Sequence, residues 1–167
     1  CEKQLRVLEE GIDIVSGTVV EFEKDILHCK AKRTLPLSKE EILKFAGRRN
    51  PFNHPCVMYR KEAVEKAGGY QHFYLFEDYY LWARMLLLGV EARNLPDTLL
   101  YMRAGTGMYK RRGGWKYVKS MLHFRLFLWK SGLSSFWDFV VCAGGQMMIC
   151  LIPNRLRELF YKKFLRK

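Results

Sequence analysis

Two adjacent carboxylates, Glu77 and Asp78, follow a glycine-rich turn and an aromatic loop, Gly68-Gly69-Tyr70 through Phe76. A helical pattern follows them, Tyr79-Tyr80-Leu81-Trp82-Ala83-Arg84-Met85, closed by Gly89. Negative charge at a helix entrance is favoured by the helix dipole. A carboxylate there can take the proton from a hydroxyl while that hydroxyl attacks an electrophilic carbon. Glycosyl transfer with inversion is a displacement of this kind, and its leaving diphosphate needs positive charge from a metal ion or from Arg and Lys. Glycoside hydrolysis fits less well, because its two carboxyls must face each other about 5–9.5 Å apart. Neighbours on a helix instead point about 100° apart around the axis. One of the pair can face a site while the other caps the helix or binds hydroxyls. The plainer alternative is that both acids only cap the helix.

The flanking chain supplies the elements that must position this pair. Residues 2–10 carry apolar positions at Leu5 and Leu8 and read as a helix stopped by Gly11. The β-branched run from Ile12 to Phe22 reads as a strand, or a strand pair broken near Ser16-Gly17. Residues 23–36 are polar and read as a loop with room for a short hairpin arm. Ser38 with Glu41 three residues later has the capping-box pattern, predicting a helix to about Ala46 that ends at Gly47. Pro51 and Pro55 keep residues 50–55 extended and irregular. A buried strand over 56–59 and a short helix over 61–66 follow. The helix after the acids spans 78–88, with Leu81, Met85 and Leu88 on one face. Strands over 90–95 and 98–103 flank a predicted turn at Pro96-Asp97. From Trp115 the pattern is helical, basic and aromatic, with breaks at Gly132 and Pro153.

The 167 residues suit one domain or most of one, and a 49% apolar fraction supports a sizeable core. The net charge of +12 is unevenly spread. Residues 1–104 hold 16 Lys and Arg against 15 Asp and Glu, whereas residues 105–167 hold 13 against 2. Such asymmetry points to an anionic membrane surface or a nucleic acid as partner of the second part, the alternative being a solvated basic face. Five cysteines without Cys-x-x-Cys spacing argue against a disulfide framework and a zinc site, and suit reduced thiols in the cytoplasm. His28, His54, His72 and His123 share no metal-ligand spacing. No signal peptide is visible, and Cys1 runs straight into a helix pattern, so the chain is read as part of a longer protein.

Taken in order, these segments resemble the acceptor side of a bacterial family 2 glycosyltransferase. The residues that carry the resemblance are Cys1-Glu2-Lys3-Gln4-Leu5, the strand Ile12-Asp13-Ile14-Val15-Ser16-Gly17-Thr18, and Asn50-Pro51-Phe52-Asn53-His54-Pro55. Gly68-Gly69-Tyr70, the helix start Glu77-Asp78-Tyr79-Tyr80-Leu81-Trp82, and Asn94-Leu95-Pro96 complete the series. The resemblance covers about residues 1–112 and is nearest to enzymes that build capsule, exopolysaccharide or O-antigen chains. It implies an α/β fold, the C-terminal half of a glycosyltransferase-A (Rossmann-like) fold. Residues 1–108 would be catalytic and 109–167 a basic amphipathic helical tail. It implies Asp78 as the catalytic base and Glu77 as a partner that contacts the acceptor or orients Asp78. Asn50, Asn53, His54, Tyr70 and Trp82 would bind substrate, although a structural histidine between two prolines is the alternative for His54. Arg111 and Arg112 match by position only, where some relatives carry Gln-x-x-Arg-Trp; they would neutralise the departing diphosphate or else be surface arginines. No Asp-x-Asp occurs in the sequence. The divalent metal, Mn²⁺ or Mg²⁺, and the nucleotide-sugar donor are therefore expected to bind a preceding half, and this part alone is expected to be inactive.

Residues 139–152 form a run of fourteen without charge, short of the roughly 20 apolar residues that a spanning helix needs. With the polybasic end from Arg155 to Lys167, this predicts peripheral contact of residues 115–167 with the inner face of a bacterial membrane, where lipid-linked acceptors reside. The alternative is that these helices pack on the core and shield it. A non-catalytic basic module binding membrane or nucleic acid is the rival reading. Aromatic residues among Lys and Arg suit single strands, but no nucleic-acid motif is present.

Overall fold

The computed structural model describes residues 1–23, 25–26, 29–103 and 114–151. Its centre is strand β1 (Ile14–Phe22), buried over its whole length. One edge of β1 pairs in parallel with β4 (Ala92–Arg103), from Ile14 opposite Ala92 to Phe22 opposite Arg103. The other edge is shared by two antiparallel strands. These are β3 (Met58–Tyr59) against Ile14 and Val15, and β2 (Cys29–Arg33) against Val19 to Phe22. The result is the expected mixed α/β architecture, with β2 as the hairpin arm.

Two expected breaks are absent. β1 runs unbroken through Ser16-Gly17, because Gly17 serves close packing and not a turn. A Cβ at Gly17 would lie 2.6 Å from Leu99 Cδ1. β4 likewise continues through Pro96-Asp97. Its pairing shifts from Gly17–Leu95 to Thr18–Thr98, so the two extra residues form a bulge, a place where a strand tolerates proline. Thr18 Oγ1 donates to the Pro96 carbonyl at 3.2 Å and holds the bulge in place.

Helices cover this sheet. α1 (Glu2–Glu9) places Val7 and Leu8 against Ile12 and Val15. α2 (Lys39–Ala46) begins with the predicted capping box, Ser38 accepting from the Glu41 amide and Glu41 from the Ser38 amide. α3 (Lys61–Lys66) lies where the pattern put it. α4 (Glu77–Leu87) begins at Glu77, one residue earlier than expected. Leu81 and Met85 are fully buried, but Leu88 lies past the helix end and is 60% exposed, so it does not share their face. Ile14, Ile42, Phe52, Leu81, Trp82 and Met85 make the main core.

After Gly114 come α5 (Trp115–Lys130) and α6 (Phe136–Leu151). They pack onto the body and onto each other. Met121, Phe124 and Leu128 of α5 share a second core with Phe76, Tyr79 and Ala83. Arg125 donates to Gln146 Oε1 of α6 at 2.9 Å and to the Gly47 carbonyl at 3.3 Å. Gly47 allows the α5–α6 connection to pack against it, since a Cβ there would lie 2.5 Å from the Leu133 carbonyl oxygen. The predicted break at Gly132 is present, with φ of 82°. Pro153 and the polybasic end lie outside the described residues.

Candidate active site

Three segments converge on Asp78. The first is α4, which carries Asp78 in its first turn; Leu75, with a left-handed φ of 62°, lies just before the helix. The second is the irregular segment 50–56, ending in a short 3-10 turn at His54–Cys56. The third is the turn after α3, which delivers Tyr70.

Asp78 is half-buried. Its Oδ2 accepts from Asn50 Nδ2 at 3.1 Å, and its Oδ1 accepts from the Tyr79 amide at 2.7 Å. Asn50 is itself fixed, because its Oδ1 accepts from the Phe52 amide at 3.2 Å. This turn by an Asn side chain suits a residue placed before proline. Among the described residues no cation pairs with Asp78. A carboxylate has about four lone-pair sites, so two hydrogen bonds leave it room to accept a proton from a bound hydroxyl.

An aromatic group stands beside this carboxylate. Trp82 is fully buried, one helical turn from Asp78. His54, Tyr59, Tyr70 and Phe52 pack around its indole with ring centroids 5.7–6.3 Å away. His54 and Tyr70 also meet edge to face at 6.4 Å. Both are exposed, so they form the solvent-facing wall and Trp82 its support. The indole N–H of Trp82 has no hydrogen-bond partner among the described residues. Partial burial raises the Tyr70 phenol above its ordinary range although the residue is exposed as a whole, helped by a hydrogen bond with Tyr59 and by the negative charge of Asp78. Tyr70 therefore stays protonated at neutral pH and can act as a hydroxyl donor or acceptor near the carboxylate.

The remaining expected residues divide. Asn53 does not face this space. It is buried, its amide donating to the Gly17 carbonyl at 2.8 Å and to the Arg33 carbonyl at 3.2 Å, while its backbone N–H donates to Ser16 Oγ at 3.1 Å. It ties the 50–56 segment to β1 and β2. Glu77 is half-buried at the first position of α4. Arg111 and Arg112 lie outside the described residues. Tyr59 is the site residue that sequence reasoning missed, because a two-residue strand shows no alternation that would turn it toward Tyr70. Among the described residues no group of three or more His, Cys, Asp or Glu could hold a metal ion. The described residues by themselves therefore offer no such site for the metal expected of the complete enzyme.

Comparison with known proteins bears on this geometry. The amylovoran biosynthesis glycosyltransferase AmsE of Erwinia amylovora is 38% identical over 169 residues, covering 97% of this chain and 61% of the relative. An uncharacterized glycosyltransferase of Haemophilus influenzae is 39% identical over 174 residues, covering 99% and 62%. The chain is similar to these bacterial glycosyltransferases over nearly its whole length. A third relative, the UDP-Gal:alpha-D-GlcNAc-diphosphoundecaprenol beta-1,3-galactosyltransferase of Escherichia coli, is 34% identical over 156 residues, covering 93% and 56%. The chain thus spans about three-fifths of the length of the curated relatives it matches. No protein-family model matches it.

Proposed function

We propose that the complete protein is an inverting glycosyltransferase of surface polysaccharide biosynthesis. It moves a sugar from a nucleotide-sugar donor to a hydroxyl of a glycan or lipid-linked acceptor. The observation that carries this reading is Asp78, held by a neutral amide, unpaired by any cation among the described residues, and set beside an exposed aromatic wall. In the reaction the acceptor oxygen bonds to the anomeric carbon as the bond from that carbon to the diphosphate breaks. The acceptor proton passes to Asp78. The faces of His54 and Tyr70 offer apolar surface to a sugar ring, and the Tyr70 hydroxyl offers it a hydrogen bond. Arg111 and Arg112 are proposed to take the charge of the leaving diphosphate. A divalent ion is proposed for the complete enzyme, held by residues outside this chain.

A lipid-linked acceptor is supported by the diphosphoundecaprenol in the name of the Escherichia coli relative. No described helix is long and apolar enough to cross a membrane. Peripheral contact through residues 115–167 at the inner membrane face is the corresponding proposal, supported by the excess of 13 basic over 2 acidic residues from position 105 onward.

The test is Asp78→Asn in the complete enzyme. Transfer should fall by about 10²–10⁴-fold, while calorimetric binding of the nucleotide sugar stays unchanged. Activity within a few-fold of the parent would remove Asp78 from the role of base.

A further inference from the structure

Helix α6 has two unlike sides. Ala143 and Cys150 are buried and Gln146 meets Arg125 of α5, so that side faces the body. The other side presents Phe136, Trp137, Val140, Val141, Met147 and Met148, all exposed, with Gly144 and Gly145 between them. Trp137, Val141 and Met148 are 73%, 69% and 70% exposed. Apolar residues at this spacing make a continuous stripe, and contiguous exposed apolar surface of this kind marks an interaction site.

The stripe also carries no charge. Asp138, the helix's one ionisable acid, is half-buried and paired. Its carboxylate accepts from Arg48 Nε at 2.6 Å and from Ser135 Oγ at 2.8 Å. Acidity that would repel an anionic surface is thereby neutralised, whereas Lys116, Lys119 and Lys130 of α5 are exposed. Trp129, next to Lys130 in sequence, lies with its ring against Phe136 and Phe139 at 5.6 and 5.7 Å, an aromatic cluster at the start of α6. Sixteen residues of helix measure about 24 Å, less than the roughly 30 Å of a hydrocarbon core. Such a helix lies along a bilayer surface and does not cross it.

We propose that the outer face of α6 lies in the headgroup region of an anionic membrane, with Trp137, Val141 and Met148 inserted. This deepens the membrane contact proposed above by naming the surface that makes it. Charge complementarity selects the lipid over a second copy of this basic chain.

The experiment is flotation of the complete protein with vesicles of phosphatidylglycerol and phosphatidylcholine, and with phosphatidylcholine alone. The parent should float with the anionic vesicles. Trp137→Glu with Val141→Glu should weaken partitioning by about tenfold or more, since each buried side chain contributes transfer free energy. Leu88→Glu, an exposed apolar site at the end of α4, should float like the parent. If the double variant melts early, Trp137→Ser alone is read in the same way. Equal flotation of parent and variants would overturn the proposal. So would a parent that ignores vesicles and sediments as a dimer that the double variant converts to monomer. Transfer to a water-soluble acceptor, measured alongside, should be the same in parent and double variant. Failure of the membrane proposal would therefore leave the transfer reading intact.

Discussion

Helices α4 and α6 are both apolar and both carry an acid in the first turn, yet they end up opposite in character. In α4, six of eleven side chains are buried, Trp82 and Met85 completely. In α6 the stripe from Phe136 to Met148 stays bare. The acids differ in the same sense. Asp138 is occupied by a guanidinium and a hydroxyl, which hold its carboxyl below the ordinary range, the Ser135 hydroxyl contributing most. Asp78 is held by an amide and a backbone N–H, neither of them charged. What surrounds a carboxylate, and not its place on a helix, separates an acid suited to chemistry from one that anchors structure.

The strongest way to break this comparison is to exchange the acids for amides. Asp78→Asn should reduce transfer by about 10²–10⁴-fold with little change in melting temperature. Next come the tryptophans. Trp82→Ala should destabilise the fold by about 3–5 kcal/mol through loss of core packing. Trp137→Ala should stay within about 0.5 kcal/mol, as exposed sites do; denaturant melts of the two variants decide it. Asn50→Ala removes the amide that aims Asp78. It should lower kcat by roughly tenfold, the scale of one hydrogen bond to a charged group, while KM stays near the parent value. A rise in KM with kcat unchanged would make Asn50 a substrate ligand instead. Asp138→Asn should also give a small effect, less than about 1 kcal/mol for a partly exposed pair. Because the folded state lowers the Asp138 carboxyl, its contribution is present above the ordinary Asp value near 3.9 and lost as pH falls through the lowered one. The stability gap between parent and Asp138→Asn should therefore be measurable at neutral pH and close under stronger acid.

Local features were legible because their signals are local. Ser38 with Glu41 set the start of α2, and the residues around Lys61–Lys66 marked α3. Ser135 with Asp138 makes the same reciprocal bonds at the start of α6, a pattern that sequence reading passed over because Asp replaces Glu. What could not be read depends on contacts between distant residues. Gly17 resembles a turn signal until Leu99, eighty-two positions later, is found against it. Pro96 resembles a strand end until parallel pairing with β1 absorbs it as a bulge. Asn53 shares its motif with Asn50 and His54, yet the sheet claims it for backbone carbonyls. The site divides in the same way. Asp78 and the ring pair were visible as residue types, whereas the bond from Asn50 to Asp78 is a product of the fold.

One short chain of contacts crosses the molecule. Asp138 grips Arg48, which lies two residues before Asn50, and Asn50 holds Asp78. Gly47, in the same segment, is pressed against the Leu133 carbonyl. Asp78, the proposed base, and the outer helix are thus joined through the segment from Gly47 to Asn50. Were α6 to rest on lipid as proposed, the fold would set the standoff between headgroups and Asp78, and acceptors would be measured by how far their hydroxyl reaches above the surface that carries them.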